Sequence, residues 1–259
     1  MPFRGKRSRR PRLNKTRKNR TKKVSKAVKT YVKRAIHSNS ENKVFLQYGA
    51  NQTLATAAGT VPSNIYLTPF PSQGSQQSNR VGNQIKAVKA FVRGHVNLLP
   101  YNATSNPQVG PVLIKMWLCS SKTVNGTNTM TSSQIDTNFF EANNTNIGFQ
   151  GNVLDIELTN NKDNWTIYKT KTFELGTTGA NSALTTQAGG WLDNSKFTMP
   201  FYFSFTRHMR KQLKFNDTAQ YATNHNLFLV FQAVYADGTS LAVNAAEYHY
   251  CSRVEYEDA

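Results

Sequence analysis

Residues 83–99 read NQIKAVKAFVRGHVNLL. Val88, Ala90, Val92, Val96 and Leu98 share one parity, while Lys89, Arg93, His95 and Asn97 share the other, with Phe91 the exception. A period of two places successive side chains on opposite faces of an extended chain, so this stretch predicts a long strand with one face buried and one polar. Seven further strand-like segments lie around it, at 43–54, 64–70, 112–120, 165–175, 199–215, 226–236 and 245–256. In the segment at 226–236, Leu227, Leu229 and Phe231 alternate with Phe228 and Val230, so both faces are apolar and a central position is expected. Pro-, Gly- and Asn-rich stretches at 69–79, 102–111 and 176–190 separate the strands. A short helix is expected over 135–142, behind a capping box of Thr131 and Gln134. Eight strands without βα alternation predict an all-β sandwich, and a two-sheet antiparallel jelly roll is the commonest arrangement of that count.

The 259-residue chain is 38% hydrophobic, with 11% aromatic residues, enough to bury a core. Its formal net charge of +18 sits at one end. Residues 1–36 hold sixteen Lys or Arg and no acid, leaving 16 basic against 14 acidic residues in the remainder, a net of +2. Two parts are therefore expected: a basic arm over 1–40 and a nearly neutral β domain over 41–259. The first 23 residues contain too little apolar surface to offset the entropy of ordering and are expected to be disordered. Over 24–36, Val24, Val28, Tyr31, Val32, Ala35 and Ile36 recur at helical spacing between lysines, which predicts an amphipathic helix of about three turns.

The candidate nucleic-acid-binding residues are the sixteen cations of this arm: Arg4, Lys6, Arg7, Arg9, Arg10, Arg12, Lys15, Arg17, Lys18, Arg20, Lys22, Lys23, Lys26, Lys29, Lys33 and Arg34. Each cation that neutralises a phosphate releases condensed counterions, and the planar guanidinium can engage two phosphate oxygens at once. The arm offers no rigid element to enter a groove, so the expected binding is charge-driven and indifferent to sequence. The runs at 4–12 and 17–23 also read as nuclear-import signals, with a host import receptor as the expected partner.

Catalytic chemistry finds little support. His37, His95, His208, His225 and His249 stand singly, without the paired spacing of a metal site, and no nucleophile motif is readable. Neither a catalytic residue, a cofactor nor a metal is expected. His208 lies in a locally basic run expected to face solvent, a neighbour or nucleic acid. Asp155 and Glu157 are expected to share the exposed face of a short strand, an acidic surface rather than a calcium site. Cys119 and Cys251 are read as buried free thiols in strands, and the Asn-x-Thr triplets at Asn102, Asn125, Asn164 and Asn216 as chance. No secretion signal is read at the basic N-terminus, so cytosolic synthesis is expected. No apolar run approaches the ~18 residues of a membrane span.

The arm, the strand count and the stretch SNRVGNQIKAVKAFVRG at 78–94 together resemble the single jelly-roll capsid proteins of small circular, Rep-encoding single-stranded DNA viruses (circovirus-like), and the related coat proteins of satellite plant RNA viruses. Those coat proteins often show Arg-x-Gly-x-x-Ile opening a long strand, here Arg80, Gly82 and Ile85, where Gly82 would permit a tight turn and Ile85 begin the buried face. The resemblance implies an eight-stranded antiparallel viral jelly-roll sandwich, self-assembled as a homo-oligomer of about sixty copies in a T=1 icosahedral shell with its arms inward. It further implies a packaged viral genome, single-stranded DNA ahead of RNA, residence in the virion and the host nucleus, and a host-cell receptor that no motif identifies. The alternative is a cellular, non-specific nucleic-acid-binding protein with a β-sandwich domain, which predicts basic residues spread over the folded domain. A carbohydrate-binding jelly roll would call for a secretion signal.

Overall fold

The computed structural model describes residues 24–39, 42–54, 63–75, 78–99, 110–123, 138–142, 145–176, 196–217, 219–241 and 245–258. The chain divides into two units, Met1–Ser40 and Glu41–Ala259. In the first, helix α1 spans Lys26–Asn39, three residues further than its apolar periodicity suggests. Ser25 supplies its N-cap, accepting a hydrogen bond from the Val28 amide at 3.3 Å and so satisfying one of the helix's unpaired N–H groups. Val24, Val28, Tyr31 and Val32 are exposed. The expectation for 1–23 lies outside the described residues.

The second unit is a β-sandwich. Its strands are β1 (Asn42–Thr53), β2 (Asn64–Tyr66), β3 (Gln84–Leu98), β4 (Val112–Ser121), β5 (Phe140–Ala142), β6 (Thr145–Ile147), β7 (Thr159–Asn160), β8 (Trp165–Leu175), β9 (Thr198–Ser204), β10 (Gln212–Lys214), β11 (Phe228–Tyr235) and β12 (Ala246–Asp258), with a one-turn helix α2 (Leu154–Glu157) before β7. Sheet one runs β1-β12-β3, with β9 and β10 both on the far side of β3; sheet two runs β2-β11-β4-β8. Eight of the nine strands in these two sheets (all but the short β10) pair in an antiparallel, nested order. The first in sequence pairs with the last (β1·β12), the second with the seventh (β2·β11), the third with the sixth (β3·β9) and the fourth with the fifth (β4·β8). Such nesting is a ribbon of paired strands wrapped into two facing sheets, the jelly roll. Each of the eight principal strand segments expected from the sequence is present.

Alternation along each strand decides where the core lies. Val92, Val96, Ile114, Met116, Phe203, Leu229, Phe231 and Val254 point between the sheets and are buried together. The opposite parity of β4 and β11 supplies Trp117, Cys119, Phe228 and Val230 to a second cluster, with Phe139, Phe140, Phe149 and Trp165. This second core lies on the outer face of sheet two, under the β5–β7 insertion, a small sheet of order β6-β5-β7 between β4 and β8. The centre of sheet two is therefore buried on both faces, and all eight residues of β11 are buried. Burying each such aromatic contributes about 1.5–3 kcal/mol.

The insertion corrects two expectations. Residues 138–142 are a turn leading into strand β5, not a helix, because Phe139 and Phe140 are held edge-on against Trp117; 131–137 lie outside the described residues. Asp155 and Glu157 sit on α2 rather than on a strand: Asp155 is fully buried and Glu157 exposed, so they form no common acidic face. An Asn152 side chain that accepts from the Leu154 amide at 2.9 Å starts this turn.

Three smaller differences follow from backbone geometry. Val88 is 44% exposed, because a bulge between β3 and β12 (Lys89 opposes Glu255, Ala87 opposes Tyr256) leaves it out of register and shifts the phase of alternation. Ile85 remains fully buried at the strand's start. The segment at 199–215 breaks into β9 and β10 at a helical turn closed by the Met209 amide on the Phe205 carbonyl. Cys251 is half-buried rather than buried, since it faces outward on β12; both cysteines are free. Among the described residues no helix is long and apolar enough to cross a membrane.

Candidate nucleic-acid interface

Of the sixteen arm cations, Lys26, Lys29, Lys33 and Arg34 lie on α1, with Lys26 and Lys29 exposed on its first turns. Arg4, Lys6, Arg7, Arg9, Arg10, Arg12, Lys15, Arg17, Lys18, Arg20, Lys22 and Lys23 lie outside the described residues. On the sandwich the basic residues are unevenly spread. Residues 165–214 contain Lys169, Lys171, Lys196, Arg207, Arg210, Lys211 and Lys214 against only Glu174 and Asp193. Arg207, Arg210 and Lys211 project from the turn between β9 and β10. In that turn His208 stacks on Tyr168 of β8, centroids 4.6 Å apart. Burial, then Arg207 and Lys169, push its imidazole below the ordinary histidine range.

Arg80 behaves differently from these exposed cations. It is 2% exposed, and its guanidinium donates to the carbonyls of Gly82, Asn216 and Ala219 at 2.7, 3.4 and 3.2 Å and to Asn83 Oδ1 at 3.1 Å. Its charge also lies over the Phe215 ring at 4.6 Å. Arg80 thus ties the approach to β3 to the segment after β10; it is a structural residue. Gly82 does not take a positive φ, so no left-handed turn demands glycine there.

The outer face of sheet one is the open chemical surface of this unit. Register brings four strands into rows across it. One row runs Tyr48 (β1), Cys251 (β12), Arg93 (β3), Tyr202 (β9); the next runs Leu46, Arg253, Phe91, Ser204. Tyr48 is 82% exposed, Tyr202 57% and Leu46 58%. Phe91 and Tyr202 stack at 5.9 Å with 30° between ring planes, and Lys89 Nζ lies 5.9 Å from the Phe91 centroid. His95 and His249 stack beside them at 4.7 Å. The His249 tautomer is fixed by its partners: Nδ1 accepts from the Asn51 amide at 3.2 Å, so Nε2 carries the proton directed at Glu247, 3.0 Å away. Asn51 holds φ 51° within a register shift of β1, which aims that amide at the imidazole.

Beneath these side chains the sheet is thinned by Gly49 and Gly94, which flank Tyr250 in the inward row. A Cβ on Gly94 would come within 2.0 Å of the His249 carbonyl oxygen and 2.6 Å of the Phe201 ring. On the outer face lies a shallow depression of ≈ 660 Å³ lined by Tyr48, Arg93, His95, Tyr202 and His249, among others. The acids of the surrounding face are each engaged: Glu247 with His249, Glu255 with Arg253 and Glu257 with Lys86. Sequence reading found Arg93 and His95 on the polar side of their strand but not this assembly, because Tyr48, Tyr202 and His249 reach it from distant segments. Among the described residues no group of three or more His, Cys, Asp or Glu is placed to hold a metal ion.

No protein-family model matches the chain, and no curated protein matches it. Among solved structures, a chain from Desmodium yellow mottle tymovirus is similar at 13% identity and a TM-score of 0.30, over 84% of this chain and 88% of that one. The jelly-roll assignment rests on strand order and pairing within this chain.

Proposed function

We propose that this chain is the capsid protein of a small virus, a jelly-roll subunit that assembles into a closed homo-oligomeric shell and gathers a single-stranded genome through its basic arm. The observation that carries this reading is the division of charge: sixteen cations and no acid in residues 1–36, against a net of +2 in the remainder, which forms the sandwich. A soluble partner of nucleic acid gains from cations spread over its fold, whereas a subunit surrounded by copies of itself gains from a neutral body and a separate polyanion-binding arm. A T=1 shell of about sixty copies, a DNA genome, and residence in virion and nucleus complete the proposal. The import runs at 4–12 and 17–23 would serve the arm's second role.

The cellular-binder alternative draws its support from the basic run at 165–214. Salt titration of oligonucleotide binding distinguishes them. If the arm carries the charge, replacing its twelve cations between Arg4 and Lys23 with Gln flattens the plot of log affinity against log salt, by about 0.7 in slope per lost phosphate contact, and abolishes nucleic-acid co-purification. An unchanged slope would move the charge to the sandwich and favour the alternative.

A further inference from the structure

We infer that the outer face of sheet one is a second nucleic-acid site, on which bases of a single strand stack against Tyr202 and Tyr48 while Arg93 meets the phosphates between them. This rests on the packaging reading for the presence of a genome, but it assigns contact to a surface unrelated to the arm.

Three observations converge on it. First, exposed apolar and aromatic side chains concentrate here: Leu46, Tyr48, Val88 and Tyr202 all belong to this face. Protein rings open to solvent on a sheet suit bases, which all present a π-face whatever their sequence. Phe91 packs beside Tyr202 on the same face, its ring 5.9 Å away at 30°, which restricts the Tyr202 ring. Second, the face carries cations free to meet phosphate. Glu255 and Glu257 are each paired with a cation and Glu247 accepts from the His249 imidazole, whereas Arg93 and Lys89 have no carboxylate partner among the described residues. Arg93 stands between the two tyrosines in one row, and its guanidinium can both bind phosphate and stack on a base. Third, the geometry fits a strand crossing the sheet. Tyr48 and Tyr202 lie three strand spacings apart, about 14 Å, a span of a few nucleotides. The depression on this face gives those bases depth without a carboxylate in its lining. A duplex, with its bases stacked internally, cannot use these rings.

The test uses the full-length chain and a full-length version with the twelve cations between Arg4 and Lys23 changed to Gln. A 20-nucleotide oligonucleotide carrying 5-iodouracil is photocross-linked at about 0.5 M salt, where charge-driven contacts are weakened, and the adducts are mapped by mass spectrometry. Adducts are expected on peptides holding Tyr48, Phe91 or Tyr202 in both versions. In fluorescence anisotropy the arm-neutralised chain is expected to prefer single strand over duplex, and Tyr202→Ala or Tyr48→Ala to weaken that binding about five- to fiftyfold with little change in salt slope. Both tyrosines are exposed, so the variants keep the fold, which circular dichroism verifies. Adducts confined to 1–36, or single-strand binding unmoved by both substitutions, would overturn this site and leave the packaging reading intact. Loss of self-association in Tyr202→Ala with unaltered cross-linking would instead assign the face to a second copy and overturn it equally. Failure of the unmodified chain to bind any oligonucleotide would sink the packaging reading itself.

Discussion

Replacing Asp155 with alanine is expected to destabilise the sandwich through one buried polar knot. The carboxylate is fully buried and accepts from Gln232 Nε2 at 2.7 Å, from the Gly151 amide at 2.8 Å and from the Gln150 amide at 2.9 Å. Gln232 is also fully buried, at the middle of β11, so this contact fastens the insertion to the centre of sheet two. Alanine leaves the Gln232 and Gly151 donors buried without an acceptor, each costing about 1–3 kcal/mol, while the exposed Gln150 segment regains water. Against this, burial holds the Asp155 carboxyl above its ordinary pKa, only partly offset by the backbone donors, so removing it relieves a desolvation cost. The net expectation is a loss of about 2–4 kcal/mol, or roughly 5–12 °C in Tm for a unit of this size, read by differential scanning calorimetry. Asp155→Asn keeps one acceptor oxygen and is expected to lose about half as much. Adding Gln232→Leu to Asp155→Ala removes the stranded amide and is expected to restore about 1–2 kcal/mol. A single variant within about 0.5 kcal/mol of the parent, or strict additivity of the pair, would refute this reasoning.

Acid sensitivity is expected from His225, whose burial, with Arg210 nearby, pushes its pKa down to about 4. The unfolded chain takes up this proton near pH 6.5 and the folded one only near 4, so the stability is present above 6.5 and lost as pH falls through that window, up to ~3 kcal/mol. Melting curves across pH 4–7 check it; a His225→Gln variant with the same pH dependence would contradict it. Gly94→Ala is expected to cost about 3 kcal/mol or more in urea denaturation, because the new methyl meets the His249 carbonyl and nothing short of backbone movement relieves it. A near-parental denaturation midpoint would show the two strands able to separate freely.

The sandwich was legible in the sequence wherever a strand was long enough to display its period. The stretch at 83–99 alternates over most of its length, and the run at 226–236 announces a strand buried on both faces, which β11 is. The insertion was not legible, because strands of two or three residues fall below any periodic window. Phe139 and Phe140 are adjacent and both buried, a pattern that fits neither helix nor strand alternation. Asp155 misled because Asp-x-Glu has the spacing of a strand face, whereas burial depended on donors supplied by residues 150, 151 and 232. The burial of Arg80 was not legible either, because the carbonyls that enclose it come from residues 216 and 219. The division of charge between arm and remainder was readable from the sequence alone, since it requires no fold. The outer face of sheet one was not, because Tyr48 meets Arg93 only across β12, a strand contributed by the far end of the chain.

The central claim is that this jelly roll encloses a genome, and the most direct measurement is to express the full chain and examine it by electron microscopy and sedimentation velocity, recording the 260/280 nm absorbance ratio of each fraction. The account predicts uniform closed shells that sediment together with nuclease-protected nucleic acid, whose digestion by DNase or RNase then identifies it. A monomer or dimer that binds nucleic acid reversibly and forms no shell at any ionic strength would contradict it.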